Sequence, residues 1–372
     1  MTHQASGSLF LVASVGAIAW QLKFPEHGDS DTGPRQRCNL SCRKTDIMGK
    51  KHLALELANE LDKVELTHNG FVISRIGFAL ELYFLGGETL ETRLALCQML
   101  RDYHALFADK ISHYLKVDAN RLTKADGEAY LDYYEEQART LPPDEAMDTM
   151  VFGYPDKKIV DEPAPISVAF TAIGPDPLMT LGRSNICAYF PASFIAEHGY
   201  GVLLDIAMRW SSALDILHGS AGYSVLFEHG SYSGSHALTV LPALKRFPGL
   251  DFSDPGKFIV YSEESDGISI KSINWLTVLG DKVATSLGDK TVLREKLGSS
   301  CPVHDFDGGI VVQAGDEPQL GDNNRGIVLD DYRRVAKALK SVRFEDYELG
   351  MIVLPEPYNS VEETLSWVRR FD

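Results

Sequence analysis

The sequence predicts an α+β fold, with helices packed on mixed or mainly antiparallel sheets, and three observations carry that expectation. Apolar residues recur at helical spacing in some segments and form short runs rich in Val, Ile, Phe and Tyr in others. The two kinds follow one another in mixed rather than strictly alternating order, which argues against a doubly wound parallel sheet. The chain has 372 residues, 44% of them apolar, enough to bury a substantial core as one large domain or two modest ones. Its two parts run hairpin, helix and strand in loosely similar order. Two similar halves fit that pattern, although no residue-level repeat supports a duplication.

Taken in order, the apolar run from Leu9 to Trp20 is too short to span a bilayer comfortably, and no Lys or Arg precedes it as in a signal peptide. Residues 21–47 are polar and without periodicity. Residues 1–47 are therefore expected to be a poorly structured leader or a misassigned start, with Met48 opening the folded part. Helix-spaced residues from Leu53 to Leu61 lead to an Asn69-Gly70 turn and the β-rich stretch FVISRIGFALELYFLGG, expected to break at Gly77 into a hairpin or two short strands. A strong amphipathic helix follows over 88–109, with Glu88 and Glu91 where the helix dipole favours acids. Thr123 and Asp126 have capping-box spacing before a further helix. On that helix Tyr130, Tyr133 and Tyr134 face one way and Glu128, Asp132, Glu135 and Glu136 the other.

Pro142-Pro143 ends this helix, and the Pro- and Asp-rich stretch 154–165 reads as an exposed connection. The expected organisation is an N-terminal α+β part over 48–150 and a C-terminal one over 151–372, packed together. The second part should contain strands at SVAFTAIG and NICAYFP, a helix from 201 to 217 and a strand at GYSVLFEH. The apolar segments KFIVYSE and INWLTVLG, a strand at GGIVVQAGD, a helix over 330–340 and a strand at LGMIVLP should complete it.

Asp and Glu outnumber Lys and Arg so far that the formal charge is −16. That field repels a nucleic-acid backbone and attracts a basic partner. The cysteines, at 38, 42, 97, 187 and 301, make a poor disulfide framework and fit a reducing compartment. Cys38 and Cys42 lack the second ligand pair that zinc requires.

No catalytic constellation assembles. There is no GxxxxGK[ST] loop to cradle phosphates. The stretch 218–236 combines glycines, serines and the histidines 218, 229 and 236, but Gly230-Ser231-Tyr232-Ser233-Gly234 places Tyr where a nucleophile elbow needs Ser. A hydrolase using Ser224 and His229 is the alternative that this stretch leaves open. Cys301, His304, Asp305 and Asp307 make the best local metal-like cluster, yet without a helical HExxH pattern they read as a polar turn. Residues 321–326, GDNNRG, lack the acidic alternation of a calcium loop. No catalytic residue, metal or cofactor is expected.

HGSAGYSVLFEHG at 218–230, FPGLD at 247–251, INWLTVLGD at 273–281, IVVQAGDEPQLGDNNRG at 310–326 and DDYRRVAKALKSVR at 330–343 resemble the type VI secretion immunity family. The resemblance spans about residues 70–358 and leaves the leader outside. It implies a single immunity domain that binds and neutralises a cognate secreted effector, a basic nuclease, by blocking its active site or DNA groove. It implies no direct contact with nucleic acid or membrane. A cytoplasmic location follows from such a target; a periplasmic protein acting against a cell-wall or membrane toxin is the alternative if Leu9 to Trp20 is a signal segment. The acidic residues Glu128, Asp132, Glu135 and Glu136, with a second group at Glu263, Glu264 and Asp266, are the candidate partner-binding surface.

Overall fold

The computed structural model describes residues 54–372 except 118, 157–161, 175–181, 230–235, 264 and 266. The expected leader, with Cys38, Cys42 and Met48, lies outside the described residues. Helix α1, over 54–61, precedes strands β1 (Glu65–His68) and β2 (Phe71–Leu85). Asn69 and Gly70 both have positive φ, 52° and 85°, the backbone of a tight hairpin turn that Asn-Gly adopts readily.

Strand β2 runs unbroken through Gly77, contrary to the expected break. Gly77 faces Ser224 across the sheet, and a Cβ there would lie 2.8 Å from Leu226 Cδ1. The residue serves close packing and does not turn the chain.

Helix α2 (Leu90–Phe107) is capped by Thr89, whose hydroxyl accepts from the Thr92 amide. Strands β3 (His113–Leu115) and β4 (Leu122–Lys124) follow, then helix α3 (Ala129–Thr140). The expected capping box is corrected here: Thr123 lies inside β4 opposite Tyr114, and α3 begins after Glu128 without a side-chain cap. Strands β5 (Met147–Gly153), β6 (Ile166–Ala172) and β7 (Ser184–Phe190) lead to helices α4 (Ala192–His198) and α5 (Gly201–Ser211).

The helix expected over 201–217 stops at Ser211, because residues from Asp215 enter strand β8 (Asp215–Leu226) and pair with β2. Long-range pairing overrides the helical spacing there. Helix α6 (Ala237–Arg246), strand β9 (Asp251–Phe252) and helix α7 (Pro255–Ser262) come next. KFIVYSE thus lies largely within a helix started by Pro255 and capped by Asp254. The remainder is strand β10 (Leu276–Gly280), helices α8 (Asp281–Ser286) and α9 (Lys290–Leu297), strands β11 (Val303–Phe306) and β12 (Gly309–Gln313), and helices α10 (Asp330–Ala338) and α11 (Ser360–Val368).

LGMIVLP is not a strand. Met351 and Ile352 are fully buried, but their segment is tied to α11 by hydroxyls: Thr364 accepts from the Ile352 amide and Ser360 from that of Leu354. Side-chain acceptors replace a neighbouring strand.

The fold is α+β, as predicted. Among the described residues twelve strands form one sheet, with main order β11-β12-β10-β8-β2-β7-β6-β5-β3-β4, while β1 joins β2 and β9 joins β8. Among the described residues β8 and β9 alone of the paired strands run parallel. The sheet continues through residues 150 and 151, both inside β5. On its first face, alternate residues such as Phe78, Leu80 and Phe190 meet α2, with Phe107 packed near Phe190 and Phe194. On its second face, α7 covers the centre, where Phe258 meets Tyr83 and His218 edge-on.

Candidate functional site

The acidic stripe of α3 forms as the spacing predicts, because Tyr130, Leu131 and Tyr134 are buried and turn the opposite side outward. Glu128, Asp132 and Glu136 are exposed and Glu135 is half-buried. Two of these carboxylates are engaged within the protein. Arg101 of α2 donates to Asp132 at 3.1 Å and to Glu135 at 2.8 Å, and Arg139 reaches Glu135 at 2.8 Å. Hydrogen bonds from Arg139 and Arg101 hold the Glu135 carboxyl below its ordinary pKa. Glu128 stands 3.7 Å from His104.

The second acidic group does not join the first. Glu263 is buried behind α7, where it accepts from the Gly182 amide at 3.2 Å, so its carboxylate faces the interior rather than a partner. Glu264 and Asp266 lie outside the described residues. Spacing alone could not reveal this, since Glu263 continues an apparently solvent-facing run of polar residues.

The enzyme-like stretch is dispersed into the core. The Ser224 hydroxyl donates to the carbonyls of Asp251 and Val225, each at 3.2 Å. His218 stacks on Tyr83, and burial, reinforced by the Arg183 and Lys271 charges, keeps its pKa well below the ordinary value. His229 stacks on Tyr189, and burial lowers its pKa to about 3. Residues 230–235 lie outside the described residues. In the CPVHDFDGG segment, His304 pairs with Gln313, Asp305 with Arg294, and the buried Cys301 thiol lies against Asp331. Among the described residues no group of three or more His, Cys, Asp or Glu is placed to hold a metal. In GDNNRG, Asp322 accepts two hydrogen bonds from Arg246 and caps the 3-10 turn Asn323–Arg325. Among the described residues no helix is long and apolar enough to cross a membrane.

Sequence reasoning missed two features. One is a buried charge cluster: Lys271 donates to Glu81 and to the Phe252 carbonyl, with Asp251 3.7 Å away, and Arg370 lies 3.8 Å from the same Asp251. Burial alone would lower the Lys271 pKa, but Asp251 and Glu81 outweigh it and the net shift is upward. Glu81 falls within an apolar strand, the signal that could have marked it.

The other feature is a groove on the second face of the sheet, beyond the cover of α7. Two cavities meet there at Met150, one of about 580 Å³ beside Leu115 and Asp148, the other of about 300 Å³ running over Ala169 to Cys187 and His229. Period-two alternation puts Leu115, Met150, Ala169 and Cys187 in register on this face. Its rim is held from below. The buried Arg93 guanidinium donates to the carbonyls of Gly87, Leu141, Pro142 and Glu145, which pins the loop that enters β5.

The TsiV family, type VI immunity for VRR-NUC, matches residues 95–371. A solved type VI secretion system protein of Pseudomonas aeruginosa has the same fold, with a TM-score of 0.70 and 19% identity over 86% of this chain and 90% of that one. Among the curated proteins none matches.

Proposed function

The chain belongs to the TsiV family, type VI immunity for VRR-NUC, and from that premise we propose that it binds a cognate secreted nuclease and neutralises it in the cytoplasm. The observation carrying this reading is the family match over residues 95–371. The charge supports it: a nuclease must present a positive cleft to DNA, and a protein of charge −16 is attracted to such a cleft while DNA itself is repelled. Blocking the active site or the DNA groove needs an interface of about 1,600 Å² with a few dominant anchors. On this reading Glu128 and Glu136 on α3 steer the encounter, with Asp132 and Glu135 contributing less because Arg101 already holds both and Arg139 also holds Glu135.

The test is co-purification with the nuclease domain of its cognate type VI effector, followed by DNA cleavage assays with and without it. A stable complex and loss of cleavage are expected. Cleavage that continues at a molar excess of the full chain overturns the proposal.

A further inference from the structure

We infer that the groove over β3, β5 and β6 is a docking surface for a loop of the nuclease that carries lysine or arginine. This rests on the reading above that the partner is a nuclease, and it specifies where that partner seats.

The groove is concave and its floor is apolar, made by Leu115, Met150 and Ala169. These side chains are half-buried, although they lie on a sheet whose other face is packed to exclusion. Carboxylates define one end. Asp148 is exposed, and a 2.6 Å hydrogen bond from the Thr171 hydroxyl holds its side chain over the sheet. Glu145 is exposed on the loop that Arg93 pins. Among the described residues neither carboxylate forms a salt bridge, unlike Asp132 and Glu135 of α3. One cation, Lys116, belongs to the lining, but its ammonium is drawn to 5.7 Å from the centre of the Tyr133 ring, on α3 of the first face, and stands against the two carboxylates Asp148 and Glu145. The groove therefore keeps its negative sign.

An apolar floor beside an acidic rim fits the amphipathic side chains of Lys and Arg. Their aliphatic stems would lie on Met150 and Ala169 while the charged heads meet Asp148 and Glu145. Loops that grip DNA phosphates are rich in such side chains. The groove is preorganised, since the floor is sheet and the rim is tied down, so little ordering cost opposes docking. The α3 stripe differs: it is convex, and Arg101 and Arg139 partly neutralise it. We assign the long-lived contact to the groove and steering to α3.

The experiment is binding of the full chain to the isolated nuclease domain, by calorimetry and surface plasmon resonance. It compares Asp148→Lys with Glu145→Lys, the bulky Ala169→Trp, and the milder Asp148→Asn, with Glu128→Lys plus Glu136→Lys as the control on α3. Far-UV circular dichroism and thermal unfolding establish that each variant is folded, and Asp148→Asn serves if a bulkier change fails. The groove variants are expected to raise Kd by roughly 100-fold, mainly through faster dissociation, and the α3 control to slow association a few-fold. Wild-type affinity in folded groove variants overturns the docking assignment. Failure of the wild-type chain to bind the nuclease overturns the function proposed above instead.

Discussion

Arg101 on α2 donates a 2.8 Å hydrogen bond to Glu135 on α3, so a carboxylate whose position in sequence marks it for a partner is engaged at a helix–helix contact. The same guanidinium reaches Asp132 at 3.1 Å. What remains of the stripe for an external partner is mainly Glu128 and Glu136.

That division predicts unequal effects along one helix. Glu128→Lys with Glu136→Lys is expected to slow association with the nuclease and flatten its dependence on salt, because attractive long-range charge is removed. Glu135→Gln, which shifts the charge by one unit where the double reversal shifts it by four, should change the association rate less. Stopped-flow association rates between 50 and 300 mM salt check the order, and equal effects would refute it.

Lys271 and Glu81 form a pair whose side chains are only 2% and 3% exposed. Lys271→Met leaves Glu81 and Asp251 buried with less compensation, and a loss of about 3–5 kcal/mol is expected. Replacing both, as Lys271→Met with Glu81→Leu, should recover a good part of that loss, because the stranded charge disappears with its partner. Urea unfolding of the two variants measures the difference, and a double variant no more stable than the single one would count against the explanation.

His218 gives a pH dependence with a definite sign. Its Nε2 is buried without a hydrogen-bond partner among the described residues, and its pKa is depressed by burial first and by Arg183 and Lys271 next. The unfolded histidine takes up a proton near pH 6.5 while the folded one stays neutral. Stability is therefore fully present above about pH 6.5 and declines below it, by up to about 1.4 kcal/mol per pH unit for one such group. His229, with its pKa near 3, acts in the same direction. Unfolding free energies at pH 7, 6 and 5 should show a shallower decline in His218→Phe than in the natural protein.

Asp322 is 1% exposed at its side chain, grips Arg246 through both oxygens and accepts from the Asn324 amide. Asp322→Ala removes all three contacts and leaves the guanidinium poorly matched, for an expected cost of about 3–5 kcal/mol. Arg246→Lys, which keeps the charge but not the fork, should fall between this variant and the natural protein. Thermal and chemical unfolding would check that ranking.

Arg93 supports the groove through the 141–145 loop. Arg93→Met is expected to speed amide hydrogen exchange across residues 141–148, while α10 at the far end of the chain keeps its protection. Uniform acceleration would instead mean that Arg93 supports the fold as a whole.

Local chemistry in the sequence determined a good deal. The Asn69-Gly70 hairpin, helices α2, α3 and α10 and strands β6, β7 and β12 follow from short-range periodicity and turn residues, as does the α+β class. The buried tyrosine side of α3, and hence the direction of its acidic side, were legible for the same reason. Tertiary structure decided what depends on distant neighbours. Whether 215–217 continue a helix or open β8 is set by pairing with β2, and whether LGMIVLP is a strand is set by the hydroxyls of α11. Glu263 became buried, Glu81 found Lys271 at a separation of 190 residues, and Met150 and Ala169 came together as a groove floor. Periodicity reports which side of an element is apolar, whereas the partner of a charge and the openness of a sheet face depend on the register of strands far apart in the chain.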